Sequence, residues 1–254
     1  MFEIGAHTPS KDPVGEARLR GADVVQIFVS NARSWKPPVE RADAAELRAA
    51  GIPIFVHTPY LINVVSDDPE VRAKSRRSLQ QTCQASAAIG ALGVVVHGGH
   101  VTGDGTMDDA FPRWREALES VESDVPVLIE NTAGGDKAPA RRIEMLDRLW
   151  ESVGDLGPGF VLDTCHAWAG GEPVEGVAER IKAVTGRIDL VHCNDSKDAF
   201  DSRRDRHENL GQGEIPAELI VEMVRQAGAP VVVETPGGVE EQAADIEWLR
   251  SRLG

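Results

Sequence analysis

The sequence predicts an α/β fold, a (β/α)₈ TIM barrel built by residues 1–254 as one domain, and three observations carry that prediction. Eight short apolar runs recur along the chain. Longer segments of helical period separate them. Seven of the eight runs end in His, Asp or Glu. The length of 254 residues suits one such barrel, which commonly needs about 250.

In chain order the runs are Phe2–Ile4, Val24–Val29, Ile54–Val56, Val94–Val96, Val127–Ile129, Phe160–Leu162, Leu190–Val191 and Val231–Val233. Their continuous, β-branched apolar character fits strands buried on both faces, as in a parallel sheet. The helical segments are Val14–Arg20, Ala42–Ala50, Arg72–Leu92, Met107–Val121, Ala138–Val153, Val174–Thr185, Ala217–Ala227 and Val239–Arg252, each with apolar residues three and four apart. Asp43 and Pro216 are plausible helix-start residues. No long linker or low-complexity tract interrupts the alternation. A doubly wound open sheet is the structural alternative. It would more often carry a Gly-rich phosphate turn after the first run, and GAHTPSKDP is not one.

Composition sets outer bounds. Hydrophobic residues at 41% and charged residues at 27% are ordinary for a globular chain that buries a large core without disulfides. Three cysteines (Cys83, Cys165, Cys193) with no CxxC pair argue against a disulfide framework and a Cys-rich zinc module, and fit a reducing cytoplasm. MFEIGAHTPSKDP lacks the pattern of a signal peptide, and no apolar run approaches the roughly 18 residues of a membrane span, so no membrane partner is expected. The net charge of −14 argues against tight non-specific DNA binding. It does not exclude DNA as a substrate, because a cluster of divalent cations creates its own local positive field.

The residues that end the runs are the informative ones. His7 follows the first, and His57, His97, Glu130, Asp163, His192 and Glu234 end the third to the eighth. The second ends near Asn31 and Arg33. In a barrel these positions converge on the carboxyl-end face, where active sites are built. His166 lies three residues beyond Asp163, and Asp205 and His207 sit in DSRRDRHENLGQG after the seventh run. A lone strand-end His is often structural, and a lone Asp or Glu often caps the next helix. The set is different in kind, since buried carboxylates on neighbouring strands repel unless a cation lies between them. Mixed imidazole and carboxylate without thiolate suits zinc, manganese or iron. Nine candidate ligands are too many for one tetrahedral ion and enough for two or three, with a bridging carboxylate. Paired metals about 3.5–4 Å apart recur in phosphate-ester hydrolysis.

The motifs IGAH, VHTPYLIN, ENTAGG, LDTCHAW and HCNDSKDAFDSRRDRHENLGQG resemble endonuclease IV (deoxyribonuclease IV), the zinc-dependent apurinic/apyrimidinic endonucleases of DNA base-excision repair, in one order from Ile4 to Glu234. The resemblance implies a barrel with three Zn²⁺ ions, Mn²⁺ being an alternative at one or more sites. His57, His97 and Glu130 would hold the first ion. Glu130 would bridge to a second, completed by Asp163, His192 and Glu234. His166, Asp205 and His207 would hold the third. A metal-bridging hydroxide would attack the phosphorus 5′ to an abasic site in double-stranded DNA, leaving a 3′-hydroxyl and a 5′-deoxyribose phosphate. Glu130 would be both ligand and orienter of the nucleophile, and the catalytic side chain. A 3′-end-cleaning phosphodiesterase activity, a monomeric state and a cytoplasmic location are implied too.

The resemblance also places Arg33, Tyr60 and Leu61 at the positions inserted into the bent duplex, where apolar or planar wedges offset lost stacking. A solvated arginine and simple loop packing are the alternatives. Ser34 departs from the longer polar amide of the family, and the chain is somewhat shorter than typical members. His7 matches no family ligand, and a supporting hydrogen-bonding role is expected of it. Lys197 could contact a phosphate or be a surface lysine. Cys165 and Cys193 are expected in the barrel wall. The main rival is a sugar isomerase or epimerase on a xylose-isomerase-like barrel, which would share Glu130, Asp163, His192 and Glu234 but would not need the other sets. A non-enzymatic DNA-binding or metal-storage protein is the second.

Overall fold

The computed structural model describes residues 2–254. The elements run β1 (Ile4–His7), α1 (Pro13–Arg20), β2 (Val25–Phe28), α2 (Ala44–Ala49), β3 (Ile54–His57), α3 (Pro69–Ala88), β4 (Gly93–His97), α4 (Ala110–Glu119), β5 (Val127–Glu130), α5 (Ile143–Val153), β6 (Gly159–Asp163), α6 (Thr164–Ala169), α7 (Val177–Thr185), β7 (Leu190–His192), β8 (Asp195–Ser196), β9 (His207–Glu208), α8 (Ala217–Ala227), β10 (Val231–Val233) and α9 (Val239–Leu253). Eight parallel strands close in the order β1-β10-β7-β6-β5-β4-β3-β2, while β8 and β9 form a separate antiparallel ribbon. The predicted (β/α)₈ TIM barrel is the fold. Among the described residues, no helix is long and apolar enough to cross a membrane.

Side chains two apart on a strand share a face. That rule sorts the barrel into two environments. Residues such as Val25, Ile27, Val56, Val96, Ile129, Leu162 and Val191 point outward and join the helices in one large core. Val24, Phe55, Val95, Leu128, Val161, Leu190 and Val232 form a second, interior cluster that fills the barrel. β1 contributes Gly5 to this layer; a Cβ there would lie 1.6 Å from the Val24 carbonyl oxygen, so no larger residue fits. One step of two residues further along every strand lies the mouth of the barrel.

Several boundaries differ from the sequence expectation, each for a local reason. The first strand is Ile4–His7 rather than Phe2–Ile4, so His7 is inside it and pairs with Gln26 of β2. α3 starts at Pro69, earlier than expected, because Asp68 caps it by accepting from the Glu70 (2.8 Å) and Val71 (3.4 Å) amides. α5 starts at Ile143 and not Ala138, since Pro139 lacks a donor and the Ala140 carbonyl accepts from Thr132 N–H at 3.3 Å. Asp43 precedes α2 but makes no side-chain cap bond; it pairs with Arg41 at 2.7 Å. Pro216 does sit at the start of α8. The segment after Asp163 is the six-residue helix α6, capped by Asp163 itself through His166 N–H at 2.6 Å.

Candidate metal centre

At the mouth of the barrel every strand presents one polar interior residue: His7, Gln26, His57, His97, Glu130, Asp163, His192 and Glu234. Each lies two residues beyond its partner in the apolar interior layer, so the period of the strand alone aims them at one point. The sequence expectation for the second strand, Asn31 and Arg33, is therefore corrected. Its contribution is Gln26, while Asn31 and Arg33 lie on the loop beyond β2. Gln26 was detectable as the lone polar residue within the apolar run Val24–Val29.

Ligand-type atoms gather in groups within 4.8 Å of one another. One contains His57, His97 and Glu130; a second Glu130, Asp163, His192 and Glu234; a third His166, Asp205 and His207; a fourth, Asp163, Cys165 and His207, shares two of its three residues with these. Glu130 is fully buried and faces two groups at once. Its Oε2 lies 3.3 Å from His57 Nε2 and 3.4 Å from His97 Nε2, and its Oε1 lies 3.0 Å from His192 Nδ1 and 3.2 Å from His166 Nδ1. Asp205 Oδ1 sits 3.1 Å from both His166 Nε2 and His207 Nε2. The ribbon β8–β9 folds His207 back over Asp163, Nε2 to Oδ2 at 3.6 Å.

Divalent cations fit this donor set. His166 Nε2 and His207 Nε2 are buried without a hydrogen-bond partner, because the nearby Asp205 oxygen lies outside bonding geometry. Lone pairs and carboxylates converging in a buried site are what a coordinated cation satisfies. The charges show the same tension. For His192, burial opposes the proton, but Glu234 and Glu130 outweigh it and raise its pKa to about 9. His207 is likewise opposed by burial and raised to about 9 by Asp205 and Asp163. His97, with less carboxylate around it, is lowered by burial to about 4. Burial opposes ionisation of Glu130, yet the facing imidazoles of His192 and His97 hold it well below the usual carboxylate range. Asp163 goes the other way, raised chiefly by burial.

A layer of amides braces these groups. Asn194 Nδ2 donates to Asp163 Oδ2 (2.8 Å), and its Oδ1 accepts from Glu234 N–H (2.8 Å). Asn131 donates to the Asp163 carbonyl (3.0 Å) and accepts from its N–H (2.7 Å). His7 Nδ1 lies 3.1 Å from Glu234 Oε1, beside the cluster rather than in it. Sequence reasoning missed the two asparagines, although each directly follows, or nearly follows, a strand-end ligand type in ENT and HCND.

Of the remaining expected residues, Tyr60 lines a cavity of about 410 Å³ together with His97, His166, Asp205 and Arg203 among others. Tyr60 is half exposed, stacks on His97 (5.8 Å, 14°) and meets His57 edge-on (5.4 Å). Its N–H donates to the Ala32 carbonyl (2.9 Å), tying its loop to the one that carries Arg33. Leu61 and Arg33 lie on those loops and belong to none of the ligand groups. Lys197 is exposed, 3.8 Å from Glu208. Cys193 packs in the outer core as expected. Cys165 is buried, but on α6 rather than in the barrel wall, with its sulfur 3.9 Å from the Arg206 carbonyl oxygen.

Barrel and mouth together define the class. The family described as xylose isomerase-like TIM barrel matches residues 14–252. Within that class, the chain is 57% identical over 249 residues to the probable endonuclease 4 of Mycobacterium leprae, covering 98% of each. Its fold matches the crystal structure of endonuclease IV from Thermus thermophilus with a TM-score of 0.86 at 33% identity, covering 99% of this chain and 98% of that one. The chain belongs to the endonuclease IV family. A D-tagatose 3-epimerase-like protein also superposes, with a TM-score of 0.81 over 99% of this chain and 97% of that one, but at 19% identity that shows the shared fold alone.

Proposed function

We propose that this protein is an apurinic/apyrimidinic endonuclease that hydrolyses the phosphodiester 5′ to an abasic site in duplex DNA, leaving a 3′-hydroxyl and a 5′-deoxyribose phosphate. The observation that carries the reading is the third group, His166, Asp205 and His207, set against the other two. Sugar isomerases and epimerases of this barrel class need only a core like Glu130, Asp163, His192 and Glu234. The name endonuclease 4 carried by relatives at this identity supports the same choice.

In this reading His57, His97 and Glu130 hold one zinc ion, Glu130, Asp163, His192 and Glu234 a second, and His166, Asp205 and His207 a third, with Mn²⁺ accepted in place of Zn²⁺. Bound there, such ions supply an activated water and neutralise charge developing on the phosphate oxygens. Glu130, with one oxygen toward each of the first two groups, sets the geometry from which water attacks, and is the catalytic side chain. His7 keeps Glu234 oriented. Tyr60 stands over His97 at the cavity edge, placed to stack against an unpaired step of the duplex, with Leu61 and Arg33 beside it. Arg203 lines the cavity beside the third group and Arg206 adjoins it in the chain; their guanidiniums pair with Asp136 and Asp198, and a phosphate backbone would have to compete for them. The reading includes action as a monomer, one catalytic domain over 1–254, cleaning of blocked 3′ ends, and a cytoplasmic location, which the three free buried thiols suit.

The test is incubation with a duplex holding one tetrahydrofuran abasic analogue, alongside metal analysis of the purified protein. Incision on the 5′ side and close to three ions per chain are expected, with activity lost on prolonged chelation. An intact analogue strand at high enzyme concentration sinks the reading.

A further inference from the structure

One residue in the ring at the barrel mouth is neither a ligand type nor a strand-end residue. Gln26 is fully buried on β2 and paired in register with His7 of β1. Its side-chain partners are two ligand-type residues of the centre and His7 beside it. Nε2 lies 2.6 Å from Glu234 Oε1 and 2.9 Å from His7 Nδ1, and Oε1 lies 2.8 Å from His192 Nε2.

Those partners settle which way the protons point. A carboxylate only accepts, so the amide nitrogen faces Glu234 and donates to it. The amide oxygen therefore faces His192, and an amide oxygen also only accepts. With the single ring proton that a ligating imidazole carries, His192 must hold it on Nε2. That leaves the Nδ1 lone pair directed at the space shared with Glu130 Oε1 (3.0 Å) and Glu234 Oε2 (3.4 Å). The same amide holds Glu234 by Oε1, the oxygen turned away from His192 Nδ1. A buried amide needs partners whatever its role, but an apolar residue would fill this place without any. The interior layer directly below is filled by apolar side chains alone.

We propose that Gln26 is a positioning residue of the metal centre: it locks His192 as the Nε2–H tautomer, so that Nδ1 is the coordinating atom, and turns the free oxygen of Glu234 toward the same ion. One amide on a strand that lacks a ligand thus orients two ligands, His192 on β7 and Glu234 just beyond β10. This rests on the metal-centre reading above. It adds that the site bound by His192 and Glu234 depends on β2, whereas His57, His97, His166, Asp205 and His207 make no hydrogen bond with Gln26.

The test uses the zinc-loaded full chain, ¹⁵N-labelled, with Gln26→Leu and Gln26→Glu variants. Long-range ¹H–¹⁵N correlations of the wild-type His192 ring should show a protonated Nε2 and a metal-bound Nδ1, a result that needs no variant to fold. In a chelator titration, Gln26→Leu should release a single ion at roughly 10- to 100-fold lower chelator than wild type, as loss of outer hydrogen bonds to ligands does elsewhere. The other ions should be retained. Gln26→Glu keeps an acceptor for His192 and should preserve the Nε2–H tautomer. Coordination through His192 Nε2, or wild-type retention of every ion by Gln26→Leu, overturns the role of Gln26 while leaving the metal centre standing. A wild-type chain that retains no ion after loading overturns both.

Discussion

Two layers of the barrel interior, one residue pair apart, are built on the same strands and the same face, yet do opposite things. The lower layer, Val24, Phe55, Val95, Leu128, Val161, Leu190 and Val232, is wholly apolar and fills the barrel. The upper layer is wholly polar and holds three buried or nearly buried carboxylates within reach of one another. Burying apolar volume stabilises the barrel, and burying like charges opposes it. The contrast teaches that stability and chemistry are divided by depth, at a boundary only one strand step thick.

That division can be broken most sharply at Glu130. Replacing it by Gln removes a charge facing two groups while keeping the shape, and should cut abasic-duplex incision by well over the roughly 100-fold typical of losing a mere outer partner. Circular dichroism should show the fold unchanged. A variant that kept full rate would remove Glu130 from its role. The mirror experiment is Leu128→Ala, on the same strand one step below. It should cost about 2–5 kcal/mol in urea unfolding, with metal content unaltered. If activity were lost with stability intact, the layers would not be independent.

Tyr60 sharpens the comparison at the outer rim. Tyr60→Ala should weaken binding of the abasic duplex by about tenfold, with little change in metal content, because it removes a stacking surface and no ligand-type atom. Fluorescence anisotropy with a labelled duplex measures it, and unchanged affinity would return Tyr60 to loop packing.

The smallest expected effect is on pH dependence. In metal-free protein the folded His192 and His207 hold protons up to about pH 9, while unfolded histidines release them near 6.5. Their contribution is complete below pH 6.5 and is lost as pH rises toward 9. His97, lowered to about 4, works in the opposite sense: the unfolded chain takes up a proton first, so stability falls as pH drops from 6.5 toward 4. Melting temperatures of the chelated protein should therefore peak near pH 6.5 and fall by a few °C toward pH 9, while metal loading removes the alkaline fall. A melting temperature that climbed from pH 6.5 to 9 in chelator would contradict the charge balance.

Much of this was legible in one dimension because a strand is short and its period is two. His57, His97, Glu130, Asp163, His192 and Glu234 each end an apolar run, and closure of the barrel by itself brings such ends together. His166 was legible as a neighbour of Asp163, but not the helix α6, whose six residues are too few to show a period. Asp205 and His207 were visible as residue types. Their approach to His166 depends on the ribbon β8–β9, which a linear pattern does not announce. Gln26 was legible only as the one polar residue inside its run, because the run continues past it to Val29 and so does not end on it.

By itself, then, the sequence determined that this protein is a barrel with imidazoles and carboxylates at its carboxyl end, since apolar runs, helical segments and strand-end residues are local properties. Tertiary structure alone decided which nitrogen meets which oxygen: that Glu130 divides its two oxygens between groups, that Asp205 lies between His166 and His207, and that Gln26 sits behind His192 and Glu234. Those pairings join residues up to 208 positions apart, Gln26 and Glu234 being the extreme among the amide's bonds. Strand register and ring closure set such distances, and no run of neighbouring residues encodes them.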